Sequence, residues 1–258
     1  LNNQHLRVKA IAAEAGQIAL RHFRDASALE VDSKGPLDLV TAADREVEGF
    51  ICAELSRAFP QDGIFGEEGS TIKGTSGRTW VIDPIDGTFN FVRGSQHWGV
   101  SIGLFEQGRP VFGVVNAPAC GEIFAGGNDL PAELNGKPLQ PLPAFRRDHA
   151  AIGIGIHPKI PADRGIAIFN EVIADLKLAY RVTGSSVTSL IDIAKGSVDG
   201  YVGLGIPSWD ILGMLPCLEQ LGVRTTIDWQ KSGLDSDLAF ACGSGAMLDV
   251  LGRMTQLR

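Results

Sequence analysis

The chain has 258 residues, with 30 acidic and 23 basic side chains and a formal net charge of −7; this surplus argues against a nucleic-acid binder, which neutralises phosphates with a basic surface. A hydrophobic share of 44% with 21% charged residues excludes disorder as the main state. Glycine is the outlier at 32 residues, about 12% against the roughly 7% of average proteins, so many tight backbone positions are expected.

No stretch approaches the roughly 20 consecutive apolar residues of a membrane span, and the first 24 residues carry charges throughout, with no signal-peptide core. A soluble, cytoplasmic protein with no membrane partner is expected. The sequence starts at Leu1 rather than Met, so residues of the natural N-terminus are expected to be missing. Cys52, Cys120, Cys217 and Cys242 are widely separated and form no CxxC pair; they read as reduced core thiols, not as a zinc site or disulfide framework.

Val8, Ile11, Ala12, Ala15, Ile18 and Ala19 recur at helical spacing and predict an amphipathic helix over 4–24. A second helix carries Val47, Phe50, Ile51, Leu55 and Ala58. Thr41-Ala-Ala-Asp44 opens it as a capping box, and Pro60 stops it. Short β-rich runs separated by glycines follow at Ile64-Phe65, Thr79–Asp83, Trp98–Phe105 and Val111–Asn116. The segment Gly136–Ala144, with three prolines, reads as a connection between an N-terminal half, 1–140, and a C-terminal half, 141–258, of one catalytic domain. Beyond it the pattern predicts a strand at Ala150–Ile156, helices at Ile166–Leu178, Ser185–Ala194 and Pro207–Leu221, and a strand at Leu238–Cys242. Helices should then cover sheet faces in layers. Dinucleotide and P-loop fingerprints are missing.

The most informative stretch is Trp80-Val-Ile-Asp83-Pro84-Ile85-Asp86-Gly87-Thr88-Phe89-Asn90-Phe91. An apolar strand runs into Asp83, proline ends it, and Asp86 stands three residues on, before Gly-Thr. If a short helix starts at Thr88, the N–H groups around Gly87 and Thr88 are free to meet an anionic oxygen. Carboxylates and anion donors share one spot only if a cation lies between them. Two like charges 5 Å apart repel by about 0.8 kcal/mol in water and roughly 3 at an effective dielectric of 20, and a hard divalent cation such as Mg²⁺ removes that cost. Taken singly, each piece has a plainer reading: Asp-Pro-x-Asp-Gly as a turn, Gly66-Glu67-Glu68-Gly69 as an exposed acidic turn, and Asp210 of Pro207-Ser208-Trp209-Asp210 as a helix-start acid. The five histidines show no metal-ligand spacing and read as surface or core residues.

Together, Glu67-Glu68, Asp83-Pro84-Ile85-Asp86-Gly87-Thr88 and the distant Trp209-Asp210 resemble the inositol monophosphatase family of Mg²⁺-dependent, lithium-sensitive phosphatases. Lys34-Gly35-x-x-Asp38-Leu39-Val40-Thr41-x-x-Asp44, Gly113-Val114-Val115 and Leu134-Asn135-Gly136 extend the resemblance over most of the chain. It implies an α+β fold, a layered αβαβα sandwich, and a homodimer. It also implies hydrolysis of a small polyol phosphate of the inositol-1-phosphate type by metal-activated water, with no covalent intermediate. Glu67, Asp83 and the Ile85 carbonyl would hold one metal and Asp83, Asp86 and Asp210 a second, with a third, looser ion near Glu67. Gly87 and Thr88 would bind phosphate through their N–H groups, Asp44 and Thr88 would orient the attacking water, and Glu68 would act from behind the ligands. Arg181, Ser185 and Ser186 are candidates for the leaving-group pocket.

One departure concerns substrate. Family members commonly carry an acid seven positions before the aspartate of the Trp-Asp pair, where it accepts a bond from an inositol hydroxyl; here that position is Gly203. Fructose 1,6-bisphosphate, histidinol phosphate and 3′-phosphoadenosine phosphates are therefore alternative substrates, and a non-catalytic metal–phosphate binding protein is the alternative of another class.

Overall fold

The computed structural model describes residues 3–25, 31–35, 38–252 and 254. Its N-terminal part runs through α1 (Asn3–Arg24), β1 (Val31–Gly35), β2 (Asp38–Thr41), α2 (Ala42–Ala58), β3 (Gly63–Gly66), β4 (Thr71–Ile72), β5 (Arg78–Asp86), α3 (Thr88–Val92), β6 (Gly99–Glu106), β7 (Arg109–Ala117), β8 (Glu122–Gly127), β9 (Leu130–Leu134) and β10 (Lys137–Pro138). The rest comprises β11 (Ala151–Ile156), α4 (Ala162–Asn170), β12 (Ala179–Arg181), α5 (Ser186–Ala194), β13 (Gly200–Ile206), α6 (Trp209–Leu212), α7 (Leu215–Gln220), β14 (Arg224–Thr225), β15 (Leu238–Gly243) and α8 (Gly245–Leu251). Residues 36 and 37 of the Lys34–Asp44 motif lie outside the described residues.

Among the described residues, eight strands form one sheet in the order β10-β9-β8-β7-β6-β5-β3-β4 and five form a second in the order β12-β11-β13-β15-β14. The first is antiparallel except where β3 runs parallel to β5; in the second, β12, β11 and β13 are parallel and β15 runs against β13. Three apolar clusters separate five layers. The α1 and α2 stripes, with Val8, Ile11, Val47 and Ile51, pack on one face of the large sheet. Its other face meets α5, α6 and α7 and the inner face of the small sheet, and α4 and α8 cover the outer face. The fold is the αβαβα sandwich.

Helix α2 begins as its sequence dictates. Thr41 Oγ1 accepts from the N–H groups of Ala43 and Asp44 at 3.1 and 3.4 Å, and Asp44 Oδ2 accepts from the Thr41 N–H at 2.8 Å. Two expected helices are interrupted. The one over Ile166–Leu178 starts earlier, at Ala162, and after Asn170 continues as a wider π-helical turn, Glu171–Leu176. The one over Pro207–Leu221 is split into α6 and α7 at Gly213-Met214. The split has a packing cause: a Cβ on Gly113 of β7 would stand 2.1 Å from the Gly213 carbonyl oxygen. Backbone rests on backbone there, and α6, which carries Asp210, packs on β5 and β6.

Gly113→Val should therefore lower stability by about 1–3 kcal/mol through overpacking and shift α6. A reduced urea midpoint together with weakened divalent-cation binding is the expected outcome; an unchanged midpoint would show that the contact is not tight.

Candidate metal and phosphate site

Apolar β5 delivers Asp83 and Asp86 at its end, where the pairing with β6 slips between those two residues. Gly87 follows with φ +87°, and a Cβ there would lie 2.7 Å from the His97 carbonyl oxygen, so only glycine makes this turn without strain. Helix α3 then starts at Thr88, and its first N–H groups have no intrahelical acceptor. Neighbouring β3 leads into Glu67, whose N–H donates to the Ile82 carbonyl at 3.1 Å, which sets Glu67 beside Asp83. Asp210 comes from the first turn of α6. One oxygen each of Asp83, Asp86 and Asp210 lies within 4.8 Å of the others. Asp83 and Asp86 are 1% and 5% exposed.

Burial and mutual repulsion both act on these groups. Burial, then Glu67, Asp86 and Asp210, push the Asp83 carboxyl well above the usual range. Asp210 is also driven well up, by burial, then Asp86 and Glu67. Lys159, whose ammonium pairs with Asp237, is the weakest influence on it. Asp86 is raised by burial only to about 6. Its carboxylate receives the Ser185 hydroxyl, the Val187 N–H at 2.9 Å and the Ser186 N–H at 3.3 Å, all from the start of α5. Crowded, partly or fully buried, all-oxygen donors fit a hard divalent cation.

Supporting contacts fix the remaining groups. Thr88 Oγ1 lies 3.3 Å from Asp44 Oδ1 and 3.0 Å from the Ile85 carbonyl oxygen. Asp44 thus caps α2 with one oxygen and faces Thr88 with the other. Ser186 Oγ lies 3.2 Å from both Asp210 Oδ2 and the Tyr201 hydroxyl. Glu48, buried in α2, accepts from the Glu68 and Ser70 N–H groups at 2.9 and 3.0 Å and ties down the turn after Glu67. Sequence reasoning missed Tyr201 and Glu48: neither belongs to a motif, and a glutamate inside a helix reads as exposed.

A cavity of about 320 Å³ is lined by Glu67, Asp83, Ile85, Asp86, Gly87, Thr88, Ser185, Ser186 and Asp210 together with an apolar wall. Asp44 stands behind Thr88, and Glu68 stands outside the lining. Three expectations change. Arg181 is exposed, pairs with Asp192 at 3.3 Å and does not line the cavity. Half-buried His157 does line it, a position that no spacing signalled. Cys120 is exposed rather than in the core; all four cysteines are free. No described helix is long and apolar enough to cross a membrane.

Comparison with known proteins places the chain. The model of the inositol monophosphatase family matches residues 3–249. The inositol-1-monophosphatase of Rhizobium meliloti is 34% identical over 247 residues, 94% of this chain and 92% of that protein. The Nus factor SuhB of Escherichia coli K12 is 33% identical over 202 residues, 77% of this chain and 75% of its own. Among solved structures, the extragenic suppressor protein suhB of Bartonella henselae superposes with a TM-score of 0.87 at 27% identity, covering 97% of each chain. An inositol monophosphatase from Anabaena gives 0.81 at 27% identity, covering 99% of this chain and 96% of that one.

The raised carboxyls set a pH dependence. Their protons are held more tightly in the folded than in the unfolded chain, so without a cation this stabilisation is complete below the ordinary carboxylate range. It is lost as pH rises through about 6 for Asp86 and beyond for Asp83 and Asp210. Thermal unfolding of chelator-treated protein should fall in midpoint from pH 4 toward pH 8, and millimolar Mg²⁺ should restore it most at pH 8. A flat profile with no Mg²⁺ response would refute the cation site.

Proposed function

The chain belongs to the inositol monophosphatase family, whose members are metal-dependent phosphoric monoester hydrolases, and on that premise we propose that it hydrolyses a small phosphate monoester by in-line attack of water, with Mg²⁺ as the cation and no covalent enzyme intermediate. The single observation that carries this reading is the trio of buried Asp83 and Asp86 and half-buried Asp210, gathered in the lining of a substrate-sized cavity. Glu67, Asp83 and the Ile85 carbonyl would hold one ion, and Asp83, Asp86 and Asp210 another; Glu67 would also face a third. Bound there, divalent cations lower the pKa of water and neutralise the charge on phosphate and leaving oxygen.

The chain's own residues do the rest. Gly87 and Thr88 offer N–H groups to a phosphate oxygen at the opening of α3. The Thr88 hydroxyl, donating to Asp44 or to the Ile85 carbonyl, presents its lone pairs to the attacking water and fixes that water on one side of phosphorus. Ser185 and the α5 N–H groups keep Asp86 ionised and oriented. Water adds to phosphorus as the bond to the alcohol oxygen breaks, and the alcohol leaves with a proton from solvent. Both halves, 1–140 and 141–258, supply acids, so the proposal treats the chain as one catalytic unit, acting as a cytoplasmic homodimer.

Inositol 1-phosphate is the reference ester because relatives are named for it. Phosphate release from it, and from fructose 1,6-bisphosphate, histidinol phosphate and 3′-phosphoadenosine phosphates, should require Mg²⁺. Metal-loaded protein that turns over none of these and no other monoester would be a binding protein instead. Asp210→Asn should cut kcat by about a hundredfold or more with an unchanged circular-dichroism spectrum, and near-normal turnover would remove Asp210 from the site. Lithium at tens of millimolar, about the range for competing at a weak Mg²⁺ site, should inhibit; full activity would count against cation exchange there.

A further inference from the structure

The cavity is lined by two chemically different sets of residues. Its carboxylates, Thr88, Ser185 and Ser186 gather where phosphate would lie. An apolar wall is made by Ile156, Pro158, Val182, Ile206, Pro207 and Trp209, of which Val182 is 59% exposed. From this division we propose that the alcohol half of the substrate is an apolar ring or branched alkyl group, not a polyol. The inference rests on the phosphatase reading and names the substrate class for that same site.

The serine and threonine hydroxyls of the lining have their protons committed. Ser185 donates to Asp86. Ser186 donates to Asp210 and is met by the Tyr201 hydroxyl at 3.2 Å. Thr88 donates to Asp44 or to the Ile85 carbonyl. His157 Nδ1 accepts the Lys159 N–H at 3.2 Å.

Nor is there room for an acid on the strands beneath. A Cβ on Gly203 would stand 2.8 Å from Ile206 Cγ1 and from Phe240 Cε1, and 3.0 Å from Tyr201 Cε1. On Gly155 it would stand 1.8 Å from the Tyr201 hydroxyl oxygen. Aliphatic and aromatic side chains therefore already fill the space that a carboxylate at position 203 would need. A ring hydroxyl that loses water against this wall without gaining a partner lowers kcat/KM by about five- to a hundredfold, whereas CH₂ groups that leave water there raise it.

Cyclohexyl phosphate and myo-inositol 1-phosphate share ring size and differ in ring hydroxyls. Those hydroxyls make inositol the better leaving group, so chemistry alone favours inositol. With the Mg²⁺-loaded full chain, kcat/KM for cyclohexyl phosphate should exceed that for inositol 1-phosphate by about tenfold or more. A smaller ratio, or a preference for inositol, overturns the inference and leaves the phosphatase reading standing. Turnover of neither ester, nor of any other monoester, by folded, metal-binding protein overturns both. Val182→Gln, a change at an exposed position that the fold tolerates, should move the ratio severalfold toward inositol. An unmoved ratio would show that the alcohol does not lie against this wall and would equally overturn the inference.

Discussion

Two buried carboxylates and a half-buried one meet at one point, and the nearby ammonium of Lys159 is engaged elsewhere. Left ionised and bare, such a cluster repels itself and loses hydration, so the folded chain must hold either protons or cations there. The rest of the architecture answers that constraint. Glu67 and Asp83 arrive at the ends of adjacent parallel strands, Asp86 three residues later at the turn, and Asp210 from a helix seated on glycine backbone. The groups reach one place only because five layers stack around it.

The three acids are not equivalent. Asp86 is gripped by the Ser185 hydroxyl and two N–H groups of α5, and its carboxyl rises only to about 6. Asp83 and Asp210 have fewer donors and rise well above that. The grip also crosses the molecule: β5 belongs to the large sheet, while α5 packs between the sheets. A carboxylate held by a helix start is oriented by the fold itself, which is the preorganisation that the proposed chemistry would use. Tyr201 does the same for Asp210 through Ser186, lying across Gly155 of the neighbouring strand to reach it.

Much of this was legible in the sequence. The Asp83–Thr88 stretch predicts a strand end, a turn and a helix start, and each is present. The αβαβα layering and the opening of α2 also follow from pattern and resemblance. What stayed hidden has physical reasons. Strand β13 reads Gly-Tyr-Val-Gly-Leu-Gly-Ile, and its glycines mask a central strand because they give way to neighbours, Gly203 to Tyr201, Phe240 and Ile206 and Gly205 to Ile160, instead of declaring β propensity. The break between α6 and α7 depends on contact with Gly113, about 100 positions away. Glu48 carries no sign of burial because its partners are two backbone N–H groups of a distant turn.

The two sets of residues lining the cavity were unequally legible for the same kind of reason. Phosphate and cation impose charge, oxygen donors and a glycine turn, and these needs compress into short motifs because one strand end and one helix start can meet them. The proposed alcohol group imposes only shape and polarity, which Ile156 of β11, Val182 of the loop after β12 and Ile206 of β13 would meet with no shared spacing. Part of the −7 charge of the chain is therefore a local requirement of the acid cluster. Glycine at 203 is likewise more than a missing acid: it is the position at which Tyr201, Phe240 and Ile206 meet, and substituting an acid alone would create a clash before it created a polyol site. Placing any acid at 203 therefore requires replacing at least one of those neighbours together with Gly203.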